Sequence, residues 1–296
     1  MYISVIPLRH SQSKRPYTYF VWEVWHESIV LGGIVEIPIG KHTVSGIVAE
    51  VGITLPADLT IEDIRAIVCV IASIEIMSPS LISMIVSIAD RYFLLIHKVA
   101  SMCLPAPLLS RLDKKNYILS RPPRFQDSKI LSVQPSNLPT LKRSTTIHHY
   151  IDSIFSPSDI ESYIIPGSVF IFPDDILLSI FMRSLETSIQ EKIWIFPTDL
   201  TPTRRVGSWI DTYEKRYDII FWTRRLLYYN LHAYDHIIYI EDAFGTEQYS
   251  YPIRIQHLDI LKAIEYTDSH DITIVSSTPT LSLFATFPKR AIISKR

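Results

Sequence analysis

Ile34-Val35-Glu36-Ile37-Pro38 and Ser45-Gly46-Ile47-Val48-Ala49-Glu50-Val51, with Gly40-Lys41 between them, decide the reading of the first third of the chain. Two β-branched runs around a glycine turn predict a pair of strands. Working outward, Tyr17 to Trp25 alternates aromatic and β-branched residues and predicts a further strand, with Gly32-Gly33 as a turn after it. Arg65 to Ile74 is another apolar, β-branched run. A helix follows, with Ser78 at the N-cap, Pro79 at the first helical position and a stripe of Leu81, Ile85, Ile88, Ala89 and Tyr92. Its spacings of three, four and seven lie along one helical face. Leu104-Pro105-Ala106-Pro107 closes a β-rich N-terminal domain over residues 1–108.

Residues 109–143 hold Pro122-Pro123, Pro135 and Pro139 among basic residues and predict an extended tether. From Ser144 the pattern changes. Short apolar strands are expected at 168–172, 192–196, 217–221, 236–240 and 271–275, with helices at 175–186, 204–215 and 256–266. Strands alternating with helices predict a mainly parallel α/β domain over 144–296.

The 296 residues are 47% hydrophobic with a net charge of −1, enough for two cores and with no overall bias toward a charged partner. The distribution says more. Residues 1–108 carry seven Lys and Arg against nine Asp and Glu, 109–143 carry eight against two, and 144–296 carry fourteen against nineteen. A basic tether suits a polyanion, because each cation near a phosphate displaces a counterion; a solvated linker is the alternative. Two cysteines, Cys69 and Cys103, exclude a disulfide framework and a four-cysteine zinc site. The most apolar long window, Leu81 to Leu104, contains Asp90, Arg91, His97 and Lys98, which argues against a membrane span. No charged head and apolar core mark a signal peptide, so a cytoplasmic protein is expected.

An α/β sheet of this kind often binds a nucleotide at the C-terminal ends of its strands, through glycine-rich backbone that cradles phosphate. Eight glycines are too few to build such a loop in the second half. Gly40-Lys41 lacks a following Ser or Thr and lies between strands, so it is not a phosphate loop of that type. Glu241-Asp242, at the end of an apolar strand, are acidic residues that could hold a metal or activate water, or form an ordinary acidic turn. His232 and His236 do not share a helical face, so no metal site is expected.

The ordered set Pro16-Tyr17-Thr18-Tyr19, Gly33 to Lys41, Gly46-Ile47-Val48, Ile64 to Ile67, Ile88 to Phe93 and Leu104-Pro105 resembles the N-terminal DNA-binding domain of the primosomal protein N′ (PriA) family. In that family this domain grips the 3′ end of a strand at a stalled fork. The resemblance implies a pocket of Tyr17, Thr18, Gly40 and Arg65, with Lys41 nearby. Thr18 stands where the family has an Asp, so its hydroxyl would accept from the terminal hydroxyl without charge assistance.

The second half resembles the first helicase lobe of the same family, a RecA-like domain, on Phe172 to Ile176, Phe221 to Leu227, Ile238 to Ala243, Tyr251 to Arg254 and Ser276 to Leu281. Its signature positions are eroded. The family's phosphate loop should fall near Arg143 to Ile151, which has neither the glycines nor the lysine, leaving Thr145 and Thr146 as remnants. Ile240 replaces the metal-binding Asp, while Glu241 matches the catalytic Glu with Asp242 beside it. The family's second lobe, zinc-binding cysteines and winged helix have no counterpart. The resemblance therefore implies a truncated, degenerate member: a non-catalytic protein of replication restart that binds forked DNA with a 3′ end, without ATP or magnesium and without a membrane. Other restart proteins are expected partners. Two further readings stay open, a residual DNA-dependent ATPase or 3′-5′ helicase subunit completed by another chain, and a protein-interaction scaffold.

Overall fold

A computed structural model describes residues 1–55, 60–113, 146–150, 160–196, 201–241, 255–267, 270–276, 283, 286–287 and 291–295. The chain divides into two compact units, Met1–Pro122 with Thr201–Val206 and Pro123–Leu200 with Gly207–Arg296.

The first unit comprises β1 (Tyr2–Pro7), β2 (Tyr17–Phe20), β3 (Ile34–Ile39), β4 (His42–Val51), β5 (Cys69–Ala72), α1 (Pro79–Arg91), α2 (Ile96–Met102) and α3 (Ala106–Asp113). The strands form an antiparallel sheet in the order β2-β1-β4-β3-β5. Register shifts at Ser4/Val5 and Ile34/Val35 coil it. Its two edges then meet. The Phe20 N–H donates to the Arg65 carbonyl at 2.9 Å, and the Ile67 N–H donates to the Phe20 carbonyl at 3.0 Å. This parallel bridge, Phe20 with Ala66, turns the sheet into a small barrel and satisfies edge groups that would otherwise face water. Ile3, Val5, Tyr19, Val21, Val35, Ile37, Val44, Val48 and Ile67 fill its interior.

The predicted hairpin is present. Ile39 pairs with His42, so Gly40-Lys41 is a two-residue turn. Gly40 has φ +59° and Lys41 is not in the left-handed region, the pattern of a turn with glycine at its first central position. The Ser78 hydroxyl accepts from the Leu81 N–H at 3.3 Å and starts α1 with Pro79 in its first turn. The strand expected from Tyr17 to Trp25 ends at Phe20; the Val21 N–H still donates to the Met1 carbonyl at 2.8 Å, and the chain then leaves the sheet. Residues Glu23–Ser28 wind instead into a 3-10 turn. The run from Arg65 to Ile74 is a strand only over β5, preceded by the isolated bridge at Ala66.

The second unit comprises β6 (Thr146–Tyr150), β7 (Ser168–Phe172), α4 (Asp175–Ser184), α5 (Thr187–Gln190), β8 (Trp194–Ile195), α6 (Pro202–Tyr213), β9 (Ile219–Thr223), β10 (His236–Glu241), α7 (His257–Thr267), β11 (Asp271–Ser276) and β12 (Ala291–Lys295). Among the described residues all seven strands are parallel, in the order β12-β6-β11-β10-β7-β9-β8, as expected for a parallel α/β domain. The strand expected at 192–196 is reduced to Trp194 and Ile195, an edge position. A cluster of Phe170, Phe172, Phe181 and Phe221, with ring centroids 4.4 to 5.9 Å apart, packs α4 on the sheet. Asp174 caps α4 by accepting from the Leu177 N–H at 2.7 Å.

Gly46 lies on β4 where it crosses β1. A Cβ there would meet Val5 Cγ1 at 2.5 Å and Ile37 Cδ1 at 3.0 Å inside the barrel. Gly46→Val is expected to destabilise by roughly 1–3 kcal/mol through overpacking. Urea unfolding should show a lower midpoint with an unchanged slope.

Candidate nucleic-acid interface

Four chain segments meet at one end of the barrel. Tyr17 opens β2, and its ring lies 6.5 Å from that of Tyr19. The Tyr19 hydroxyl donates to the Pro38 carbonyl at 3.0 Å, two residues before the Gly40 turn. Arg65 Nη1 donates to the Gly40 carbonyl at 2.9 Å. The Ser11 hydroxyl donates to the Tyr17 hydroxyl at 3.3 Å from the loop after β1. Tyr17 is half-buried against the barrel core, whereas Gly40, Lys41 and Arg65 are exposed. A Cβ at Gly40 would meet nothing within 4 Å, so the turn is open to approach. Tyr17, Gly40 and Arg65 are therefore brought together, with Lys41 on the same turn.

Thr18 is not placed with them. Neighbouring residues of a strand point to opposite faces. Tyr17 and Tyr19 pair with Val5 and Ile3, which lie in the barrel core, while Thr18 pairs with Ser4. Its hydroxyl therefore belongs to the outer face of β2, and the single pocket expected to contain both Tyr17 and Thr18 is corrected to a mouth of Tyr17, Tyr19, Gly40 and Arg65. Tyr19 was missed in the sequence. Its spacing of two from Tyr17 was the available signal.

Burial pushes the Tyr19 phenol up to about 12, helped by Tyr17 and opposed by the Arg65 cation.

In the second unit, Glu241 ends β10, is 5% exposed and pairs in register with Ser276 at the end of β11. Ile240 belongs to the apolar cluster on the opposite face. Thr146, expected in a phosphate loop, starts a strand bonded to both β11 and β12. β6 thus takes up residues 146–150 of the segment where that loop was expected. Thr145 and Asp242 lie outside the described residues, as does the segment after β6. Among the described residues no three His, Cys, Asp or Glu side chains come together, and no helix is long and apolar enough to cross a membrane.

The first unit is thus a small closed β barrel with an aromatic and basic mouth. Residues 5–105 match the family described as the PriA 3′DNA-binding domain (3′BD), and the N-terminal unit of the chain belongs to that family. No curated protein matches the chain. Among solved structures, the Pyrococcus furiosus Hef helicase domain matches at 13% identity with a TM-score of 0.37, over 52% of this chain and 35% of that one. The chain thus spans about a third of that structure's length.

Tyr19→Phe removes the bond to Pro38 and is expected to cost about 0.5–1.5 kcal/mol near neutral pH. The folded-state pKa is raised from 10.0 to about 12, so the stability tied to the protonated phenol is full below pH 10 and lost as pH rises through about 12. The gap between the unsubstituted chain and the variant should shrink across that window in urea titrations.

Proposed function

We propose that this chain is a DNA-binding protein that receives the 3′ end of a strand at branched or forked DNA in the mouth of its N-terminal barrel. It acts in replication restart in the cytoplasm, alongside other restart proteins, and without turning over ATP. The observation that carries this reading is the convergence of Tyr17, Tyr19, Gly40 and Arg65 at one end of a domain of the 3′BD family.

The chemistry of each group supports it. An aromatic ring at the mouth offers a face on which any base can stack. Gly40 lacks a side chain, so a sugar or base can approach its backbone. Arg65 uses one N–H on the Gly40 carbonyl, which orients the guanidinium and leaves other donors for a phosphate or base edge. Thr18 reaches the terminus only from the outer side of β2.

The test is fluorescence anisotropy on fork DNA carrying either a free 3′ hydroxyl or a 3′ phosphate. The free end should bind more tightly; equal, weak binding of both rejects the reading. Arg65→Ala is expected to weaken binding by about 1.5–3 kcal/mol, the range for hydrogen bonds to charged groups. It should also make the salt slope shallower by about 0.7, one phosphate's worth on a single strand.

For the second unit, we expect phosphate release from ATP with saturating DNA to be the same in the unsubstituted chain and in Glu241→Gln. Release that the substitution abolishes would instead favour a residual ATPase subunit.

A further inference from the structure

The seven cations of residues 1–108 are outnumbered by nine carboxylates, yet the two signs are segregated. Residues 1–22, 37–49 and 91–112 contain no Asp or Glu. Those three stretches converge on one surface of the barrel unit. The His10 and His42 rings lie 6.1 Å apart, which sets the loop after β1 against the Gly40-Lys41 turn. His97 is held below its usual pKa first by burial and then by the charges of Lys98 and His10, which sets the same loop against α2. The Ile96 N–H donates to the Ser13 carbonyl at 3.1 Å and fixes that junction. Lys14 Nζ stands 4.9 Å from the centre of the Phe93 ring. Lys14, Lys41 and Lys98 are exposed, and none makes an ion pair among the described residues.

Backbone strain marks the same surface. His10 has φ 55° and Phe93 has φ 52°, two of the three non-glycine residues with left-handed backbone among the described residues. Phe93 follows the C-cap of α1, where the Leu94 N–H donates to the Ala89 carbonyl at 2.9 Å and a left-handed residue closes the helix, yet its ring is 75% exposed. An exposed ring set among cations, with no carboxylate in the contributing segments, is the composition of a single-strand nucleic-acid surface.

We infer that the surface made by His10, Lys14, Lys41, His42, Phe93 and Lys98 carries the strand on the 5′ side of its terminus, with phosphates on the cations and a base on the Phe93 ring. This rests on the end-binding reading above, and it supplies what a terminal pocket lacks. A strand whose 3′ end is held can continue only in the 5′ direction, and the Gly40-Lys41 turn joins the mouth to this surface. The pocket reads the end, and the track supplies length- and salt-dependent affinity.

The experiment compares a trinucleotide with a dodecanucleotide of the same 3′ sequence, each with a free or phosphorylated 3′ end, over a range of salt. In Lys14→Ala/Lys98→Ala the dodecanucleotide salt slope should become shallower by about 1.4, two phosphates at about 0.7 each. Trinucleotide affinity and the preference for a free end should be unchanged, and Lys14→Arg/Lys98→Arg should restore the slope. Phe93→Gly relieves the left-handed strain, so its melting temperature should hold or rise while dodecanucleotide affinity falls about fivefold or more. A slope unaltered by the lysine double variant, with end preference intact, overturns the track alone. Unchanged dodecanucleotide affinity in Phe93→Gly overturns the stacking role. Absence of end preference in the unsubstituted chain overturns the end reading and the track with it.

Discussion

Two backbone hydrogen bonds, between Phe20 and the segment from Arg65 to Ile67, determine what the N-terminal unit can do. A five-stranded sheet left open would have β2 and β5 as exposed edges; joined through this bridge, it encloses one core. The same bridge fixes Arg65. Its carbonyl accepts from Phe20, so its Cα sits beside β2, and its side chain spans to the Gly40 carbonyl across the mouth. The approach to that bridge is set by a short local device, in which the Thr60 N–H and hydroxyl both donate to Asp63 Oδ2, at 3.0 and 2.6 Å. Those bonds hold the Asp63 carboxyl below its usual range and turn the chain just before Arg65. A candidate binding arginine is thus positioned by main-chain closure more than by packing, and disrupting the barrel edge would misplace it while leaving much of the apolar core in contact.

The parts legible in the sequence were those governed by local rules. The Gly40-Lys41 hairpin followed from a glycine between two β-branched runs, and α1 followed from a Ser-Pro start and an apolar stripe. The alternating pattern of Tyr17 to Trp25 misled at its far end, because alternation states a preference while pairing decides the strand, and after the Val21–Met1 bond the chain winds into a 3-10 turn. The barrel bridge itself was illegible. It joins residues far apart in sequence through backbone groups, and no side-chain pattern encodes that. In the second unit β6 was missed for a related reason. Thr-Ile-His-His-Tyr carries little apolar alternation, and the strand exists because β11 and β12 flank it.

Site membership was legible by residue type but not by face. Tyr17, Gly40 and Arg65 converge, as ordered motif pieces implied they should. Thr18 was placed in the same pocket because the resemblance sets it where the family has an Asp, but neighbours along a strand point to opposite faces. Tyr19 shares Tyr17's side and ties it to the β3–β4 hairpin through Pro38. The hydrogen-bond acceptor lost with the family's Asp therefore concerns the outer side of β2, and the inner mouth keeps two phenols and a guanidinium.

The second unit is held by the apolar packing of its sheet. Its central strands β7, β10 and β11 are buried almost throughout, and aromatic stacking locks α4 against β7 and β9. None of that packing involves a phosphate-binding segment. Ile240 contributes to it directly, sitting in the apolar cluster. A carboxylate there would bury a charge among Phe170, Phe172 and Phe221, which costs several kcal/mol or forces the group neutral, by the usual penalty of about 2–7 kcal/mol even for an unbonded polar group. Apolar packing at this position and an ionised carboxylate are therefore competing demands on one side chain, while Glu241 lies on the neighbouring face. The two units differ in this respect: the barrel mouth keeps Gly40, Lys41 and Arg65 exposed, whereas Ile240 near the end of its strand is core.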